Sequence, residues 1–560
     1  LRSSKWAVAA GIGLLIFLFM QVLPAIAPAM KGESAAIGRG EAKRIALAYA
    51  SERWGMDLGE GSEATITHVG DDRMVAYMTK HKLTDEYDRG WDARYPTDVY
   101  AVDLHAADGS VDRVSVHMET GEVVGWARVG DAMTDTDKAA VRDVEAQTAK
   151  ALAWLKTQPE FDASSWEPIG SLTEGGSVIL QSRKSGLSDA HLQLLVQPDK
   201  VLTYRYALPD SFSEEIAKQR KIADKLSMTG FLLPQIVMFV LAVIYAAACR
   251  GWTSFKRGLF LSAAFFVMYA GFMFNLRPGL RASSSGMNAI ASESDVTALL
   301  VTNVVILFIQ ALLTYFAAVG GDGLWRSMGR SLWPRWQDAD YGIRVKTAMK
   351  QGYMLAVILL AAQSVVLTGL GLLLGSYYGS DPSQSAYNMY HPWLLPLLAW
   401  CAGISEELQT RFFGIGLVRK WLGALSGSKS GGEASGTGGR SGSALSRALT
   451  SIAVLPATAI WAFGHVGYAV YPWQTRFIEL MIIGALFAWF MLRFGLLAVI
   501  FAHVVLDSTL MAVQMLSDGL SSDNIAGFVS VLLPAAVALL IAWLHERRRG
   551  GTGPTAGISR

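Results

Sequence analysis

Ser405-Glu406-Glu407-Leu408-Gln409-Thr410-Arg411 lies inside an apolar run from about Trp393 to Leu417, and its reading decides the fold. A carboxylate or guanidinium at the centre of a membrane helix costs roughly 2.5–3.5 kcal/mol on insertion scales. Glu406, Glu407 and Arg411 place three such groups within six positions, a penalty that argues for a use. Two further apolar runs carry the same kind of cost, one with Trp461-Ala462-Phe463-Gly464-His465 and the other with Phe501-Ala502-His503-Val504-Val505-Leu506-Asp507. Together they read as a polar reaction site within a membrane.

The chain has 560 residues, 52% hydrophobic and 17% charged, where a soluble protein carries roughly a quarter charged residues. Its apolar residues gather into runs of about 18–25, the length a spanning helix needs. The expected fold is a polytopic α-helical membrane protein with an extracytoplasmic α+β domain after the first helix. A formal net charge of +2, without a basic stripe interleaved with aromatics, leaves no footprint for nucleic acid. The two cysteines, Cys249 and Cys401, fall at or within membrane segments, so the polar region has no disulfide framework.

The first apolar run, Trp6 to about Ala29, follows Arg2 and Lys5. Ala27-Pro28-Ala29 would suit signal cleavage, but the run exceeds the roughly 7–15 residues of a signal-peptide core. Residues 1–30 therefore read as an uncleaved anchor. Residues 31–227 read as an extracytoplasmic α+β region. Val99 to His105 and Val111 to His117 alternate around Ala107-Asp108-Gly109 as a hairpin, and Thr120-Gly121 turns into Glu122-Val123-Val124-Gly125-Trp126. Helical stretches opening at Ala46-Leu47-Ala48-Tyr49 and Ala151-Leu152-Ala153-Trp154, each followed by strand-like runs, form a weak repeat of two modules. This pattern, with Met118-Glu119-Thr120-Gly121-Glu122-Val123-Val124, resembles PepSY-type modules. No charged motif ties the region to the membrane site, so it is expected to fold as a separable unit.

Spanning helices are expected near residues 231–249, 258–276, 296–319, 352–377, 391–418, 448–470, 476–494, 496–515 and 525–544, about ten with the anchor. Lys and Arg gather on alternate turns, at 250–257, 326–350, 419–447, 493 and 547–549, and Arg277, Arg281 and Arg476 are the exceptions. By the positive-inside rule both termini are cytoplasmic and the chain is a multi-pass protein of a bacterial-type cell membrane. Residues 228–350 then hold helices and an inside loop whose Trp325, Trp333 and Trp336 suit either a headgroup-level segment or an ordinary anchored loop. Residues 351–545 form the reactive unit, interrupted by a Gly/Ser-rich linker at 424–446, and 546–560 form a cytoplasmic tail.

On a helix, residues four apart share a face, so Glu407 pairs with Arg411 and His503 with Asp507. Glu406 is rotated about 100° from Glu407 and is free to face a cavity as a general base. His465 has no ionisable partner on its own helix, and Glu406 is its natural partner across helices. At 1.5 Å per residue, Glu406, His465 and His503 lie roughly 20, 25 and 12 Å from the inner ends of their helices, which lets them meet in the bilayer.

Glu406-Glu407-x-x-x-Arg411, Trp461-x-x-x-His465 and His503-x-x-x-Asp507, in that order and each in an apolar helix, resemble the CPBP (CAAX-processing and bacteriocin-processing, or Abi) intramembrane endopeptidases, over roughly Tyr353 to Met515. The resemblance implies an intramembrane protease acting on membrane-associated peptides or proteins. It implies Glu406 as the base that activates a water, His465 as a holder of that water, and His503 with position 507 as oxyanion stabilisers. Glu407 and Arg411 would orient the first helix. The chain departs from the family at Trp461, where Phe is usual, at Thr410 and Phe412, and at Asp507, where many members have Asn. An ionised aspartate cannot donate to an oxyanion, so Asp507 either is protonated or orients His503.

No cofactor is expected, with zinc on Glu406, His465 and His503 as the alternative. No His-Glu-x-x-His helix exists, which favours metal-free catalysis. The rival classes are a proton-coupled transporter, which would show inverted repeats or broken helices, and a non-catalytic immunity or scaffold protein. Lipids and a peptide or membrane-protein substrate are the expected partners.

Overall fold

The computed structural model describes residues 3–30, 36–56, 63–106, 110–128, 143–158, 161–184, 186–286, 289–425, 441–519 and 521–550. Among these, seven helices are long and apolar enough to cross a membrane. The count rises to eight if Leu259–Asn275 and Arg277–Ser284, bent by 60° at their junction, form one span. The expectation of ten is met in part. The two remaining expected segments are helical but fall short for different reasons. Leu397–Glu406 continues through a π-helical stretch, Glu407–Gly414, into Ile415–Leu425, and its charged motif dilutes its hydropathy. Arg447–Phe463 is apolar but short.

The long helices follow from continuous Leu, Ile, Val, Ala and Phe runs, which satisfy every backbone group internally where no water can. Asp210–Ala248 runs for 39 residues, polar over Asp210–Leu226 and apolar over Leu233–Ala248, so one rod leads from the polar domain into the membrane. Tyr341–Leu374 packs along Leu496–Ser517, and a Cβ at Gly352 would stand 2.4 Å from the Phe501 Cβ. A Cβ at Gly403 would meet the Val504 Cγ2 at 2.7 Å. These glycines let the backbones approach as small residues do between membrane helices, and the residues they face, Phe501 and Val504, lie on either side of His503 in its helix.

The polar domain is one antiparallel sheet of eight strands in the order β1-β2-β3-β4-β8-β7-β6-β5. The strands are β1 Ala64–Gly70, β2 Asp98–His105, β3 Val111–His117, β4 Val123–Arg128, β5 Trp166–Leu172, β6 Val178–Ser182, β7 His191–Gln197 and β8 Val201–Ala207. Arg39–Trp54 precedes the first four and Val144–Leu155 the last four. Each set is a meander, and the two join edge to edge through β4 and β8, with Trp126 opposite Leu202. The β2–β3 hairpin pairs Val99 with His117 through His105 with Val111, while its turn at 107–109 lies outside the described residues. One face of the first meander buries Ala42, Ala46 and Ala50 of the helix against Tyr100, Val102 and Val114.

The other face is not free either. Asp103 and Arg113 stand opposite each other across β2 and β3 and pair at 2.7 Å while almost fully buried. The Arg113 guanidinium also donates to the carbonyls of Gly286 and Ala289, both at 2.7 Å, in the membrane part. Arg39 donates to the Met389 carbonyl at 3.1 Å. Asn388 exchanges two hydrogen bonds with the His68 backbone, at 2.8 and 2.7 Å. The sheet thus sits on Gly286 and Ala289 and on the segment 381–391 through hydrogen-bonded polar groups.

Trp325 and Trp333 are buried in the helix bundle. The Trp325 indole donates to the Phe412 carbonyl at 2.7 Å, and Gly416 leaves room for its ring. The end of the helix Glu293–Ser327 thereby braces the helix of the first motif. The linker expected at 424–446 lies largely outside the described residues, with helix resuming at Ser441. The last helix, Leu533–Gly550, runs four residues past the expected start of the tail at 546; residues 551–560 lie outside the described part.

Candidate active site

Leu397–Glu406 ends where the π-helical stretch Glu407–Gly414 begins, so the two glutamates straddle a change of helical pitch. Widened turns of this kind recur at functional sites. Glu407 turns into the protein, fully buried, while Glu406 keeps 22% of its side chain exposed towards a cavity. That cavity, about 520 Å³, is also lined by His465, His503 and Asp507. All four expected catalytic side chains converge there.

His503 contacts three carboxylates. Its Nδ1 lies 2.8 Å from Glu407 Oε1, and its Nε2 faces Asp507 Oδ2 at 3.4 Å and Glu406 Oε2 at 3.8 Å. The Phe487 ring stacks on the imidazole at 4.7 Å. Glu407 therefore does more than pair with Arg411, whose Nη1 lies 3.4 Å from the same Oε1. One carboxylate oxygen holds both the guanidinium and the imidazole.

His465 departs from its expected place within a helix. The helix Ser441–Phe463 ends two residues earlier, and His465 Nδ1 bonds the Trp461 carbonyl at 2.8 Å. A carbonyl only accepts, so Nδ1 carries the proton, and the ring joins the Gly464 N–H on a carbonyl of the helix C-terminus. Nε2 is left facing Glu406 Oε1 at 3.7 Å.

Trp461 joins these groups. Its indole N–H donates to Glu406 Oε2, and the Arg411 guanidinium lies 3.8 Å from its ring centroid. Phe487 stands 5.3 Å from the same guanidinium. Arg411 Nε and Nη2 lack hydrogen-bond partners among the described residues, and the two aromatic faces take the place of such partners through cation–π attraction. The Trp-for-Phe change, mild by size, adds a donor to the carboxylate expected to be the base. Its indole N–H was the signal available in the sequence.

A second charged group borders the cavity. Arg476, which lines it, donates to both oxygens of the buried Glu479 at 2.9 and 2.7 Å, and Gln363 donates to Glu479 at 2.7 Å. Arg476 was one of the exceptions to the loop-charge pattern. Its partner at i+3 in an apolar run was the sign that it belongs inside.

Among the described residues no group of three or more His, Cys, Asp or Glu side chains is arranged to hold a metal ion. In the zinc alternative on Glu406, His465 and His503, one carboxylate oxygen is already engaged, since Glu406 Oε2 accepts from the Trp461 indole.

Residues 388–509 match the family described as Type II CAAX prenyl endopeptidase Rce1-like. The match contains all three motifs, from Glu406 to Asp507. No curated protein and no solved structure matches the chain. The apolar helices and the matched segment define a multi-pass membrane protein with a hydrolase domain. Residues 388–509 are thus similar to the CAAX proteases, a hydrolase family whose name implies a protein substrate.

Proposed function

We propose that the chain is an intramembrane endopeptidase in which Glu406 activates water. The observation that carries this reading is the approach of Glu406 Oε1 to His465 Nε2 at 3.7 Å, at the wall of a cavity within the helices. A water oxygen within hydrogen-bond reach of both atoms fits that spacing. Glu406 takes a proton from the water as its oxygen attacks the scissile carbonyl carbon. It then returns the proton to the amine nitrogen as the C–N bond breaks. His465 holds the water with its Nε2 lone pair, because Nδ1 is committed to the Trp461 carbonyl.

His503 is the oxyanion partner in this reading. Glu407 fixes its Nδ1–H, and with a second proton on Nε2 the ring donates towards Asp507 at rest and towards the oxyanion in the transition state. Such preorganised donors are commonly worth 10²–10³ in rate. The contact between Asp507 and His503 Nε2 favours an orienting aspartate over a direct donor. Asp507→Asn should accordingly lower peptide cleavage by purified protein. A variant with equal or greater kcat would return position 507 to the oxyanion itself.

Ten helices cross the membrane in this account, with both described ends on one side and the sheet on the other. The Lys/Arg-rich turns support that arrangement. A proteolytic tag inserted after residue 200 should be cleaved by protease added outside intact cells. Protection there, with cleavage only after lysis, would reverse the topology. The substrate is a membrane-associated peptide or protein.

A further inference from the structure

The cavity of the active site shares Ser383, Gln384 and Tyr468 with a second cavity of about 670 Å³. This second space lies under the sheet. Its walls come from the end of β1, from Asp72, from the polar half of the helix Asp210–Ala248, and from residues 380–384 and 464–473. Behind Glu406 the protein is tightly packed: Glu407, Arg411 and Phe412, none of which lines either cavity, are at most 1% exposed.

We propose that substrate reaches Glu406 from the side of the membrane that holds the sheet, through this vestibule, and that the segment threaded through it is neutral or basic. The inference rests on the endopeptidase reading for the identity of the occupant, an extended peptide. The apolar walls of the inner cavity, including Phe272, Met273 and Leu280, receive the membrane-borne part of that peptide. The outer space is polar, and its charged walls are Asp72, Asp224, Asp381 and Arg220. Arg220 is engaged by Asp72 and Tyr471, so carboxylates dominate the potential that an entering chain meets.

Tyr468 stands at the junction as a movable panel. It follows His465 in a non-helical turn, and its ring lies parallel to the imidazole at 5.8 Å with a 6° interplanar angle. It remains 47% exposed, and a Cβ on the neighbouring Gly467 would touch nothing within 4 Å. The base of the junction is held more firmly. The short strands Tyr377–Tyr378 and Val470–Tyr471, β9 and β10, pair with each other and join the two segments that supply Ser383, Gln384 and Tyr468. Displacing Tyr468 opens the passage and uncovers His465 in the same movement.

The test uses the full chain with Ala402→Cys, a position on the inner cavity wall outside the reactive groups. Its reaction with a cationic and an anionic methanethiosulfonate is timed against the background of the buried Cys249 and Cys401. The cation should react about tenfold faster than the anion, as expected for a cleft of one sign. Adding Ser383→Trp or Gln384→Trp should drop both rates to background while the thermal transition is kept. Asp224→Asn, an exposed change that leaves the fold alone, should narrow the cation preference. Cleavage of lysine-flanked membrane peptides should exceed that of glutamate-flanked ones and fall with the tryptophan variants. Labelling that ignores both tryptophans, or that favours the anion, overturns the entrance. Labelling that obeys these rules in a protein that cleaves no peptide supports the entrance and removes only the protease reading.

Discussion

Glu407→Ala should cost about 3–5 kcal/mol of stability, the range seen when one partner of a buried ion pair is removed. Glu407 is fully buried, and Arg411 is 1% exposed. The substitution leaves a guanidinium within the bundle with no carboxylate in contact, held by the Thr410 hydroxyl and the faces of Trp461 and Phe487. It also frees His503 Nδ1, whose 2.8 Å contact to Glu407 sets the ring. Both losses fall on one core, because Phe487 packs on Arg411 and His503 alike. The expected result is a sharply lower thermal transition in detergent, with poor yield. Glu407→Gln keeps the shape and an acceptor for His503 and should lie between the alanine variant and the unaltered protein. If the alanine variant unfolds at the unaltered temperature, Glu407 is not the counter-charge that keeps Arg411 in the membrane.

The parts of the fold that were legible are those with strong periodicity or strong penalty. Apolar runs placed the helices, since length and hydropathy are the signal itself. The polar motif stood out because ionisable residues cost so much in lipid. Spacing rules then paired Glu407 with Arg411 and His503 with Asp507. What escaped depends on how helices end and cross. His465 was read inside a continuous helix, yet the chain leaves the helix at Phe463, where Gly464 packs under Phe231 and the imidazole caps the Trp461 carbonyl. The contact between Glu407 and His503 joins residues 96 apart in sequence, and no single-helix rule can find it. Trp325 read as an interfacial anchor by composition, whereas its burial depends on Gly416 across the packing surface. The docking of the sheet rests on Arg113, which a strand pattern shows only as a charge within β3.

The central claim is that Glu406 is the base. Glu406→Gln keeps the volume of the side chain and an acceptor for the Trp461 indole, but cannot take a proton from water. Loss of a positioned base commonly removes a factor of about 10²–10⁴ in rate, or roughly 2.7–5.5 kcal/mol of barrier. His465 and Trp461 would still frame the cavity, so the thermal transition should stay near that of the unaltered protein. The decisive measurement is kcat/KM for cleavage of a membrane peptide by the purified protein and by Glu406→Gln, followed by mass spectrometry of the products, in buffer with chelator. The account predicts cleavage by the unaltered chain and a fall of at least about a hundredfold in the variant. Equal cleavage by Glu406→Gln would contradict it.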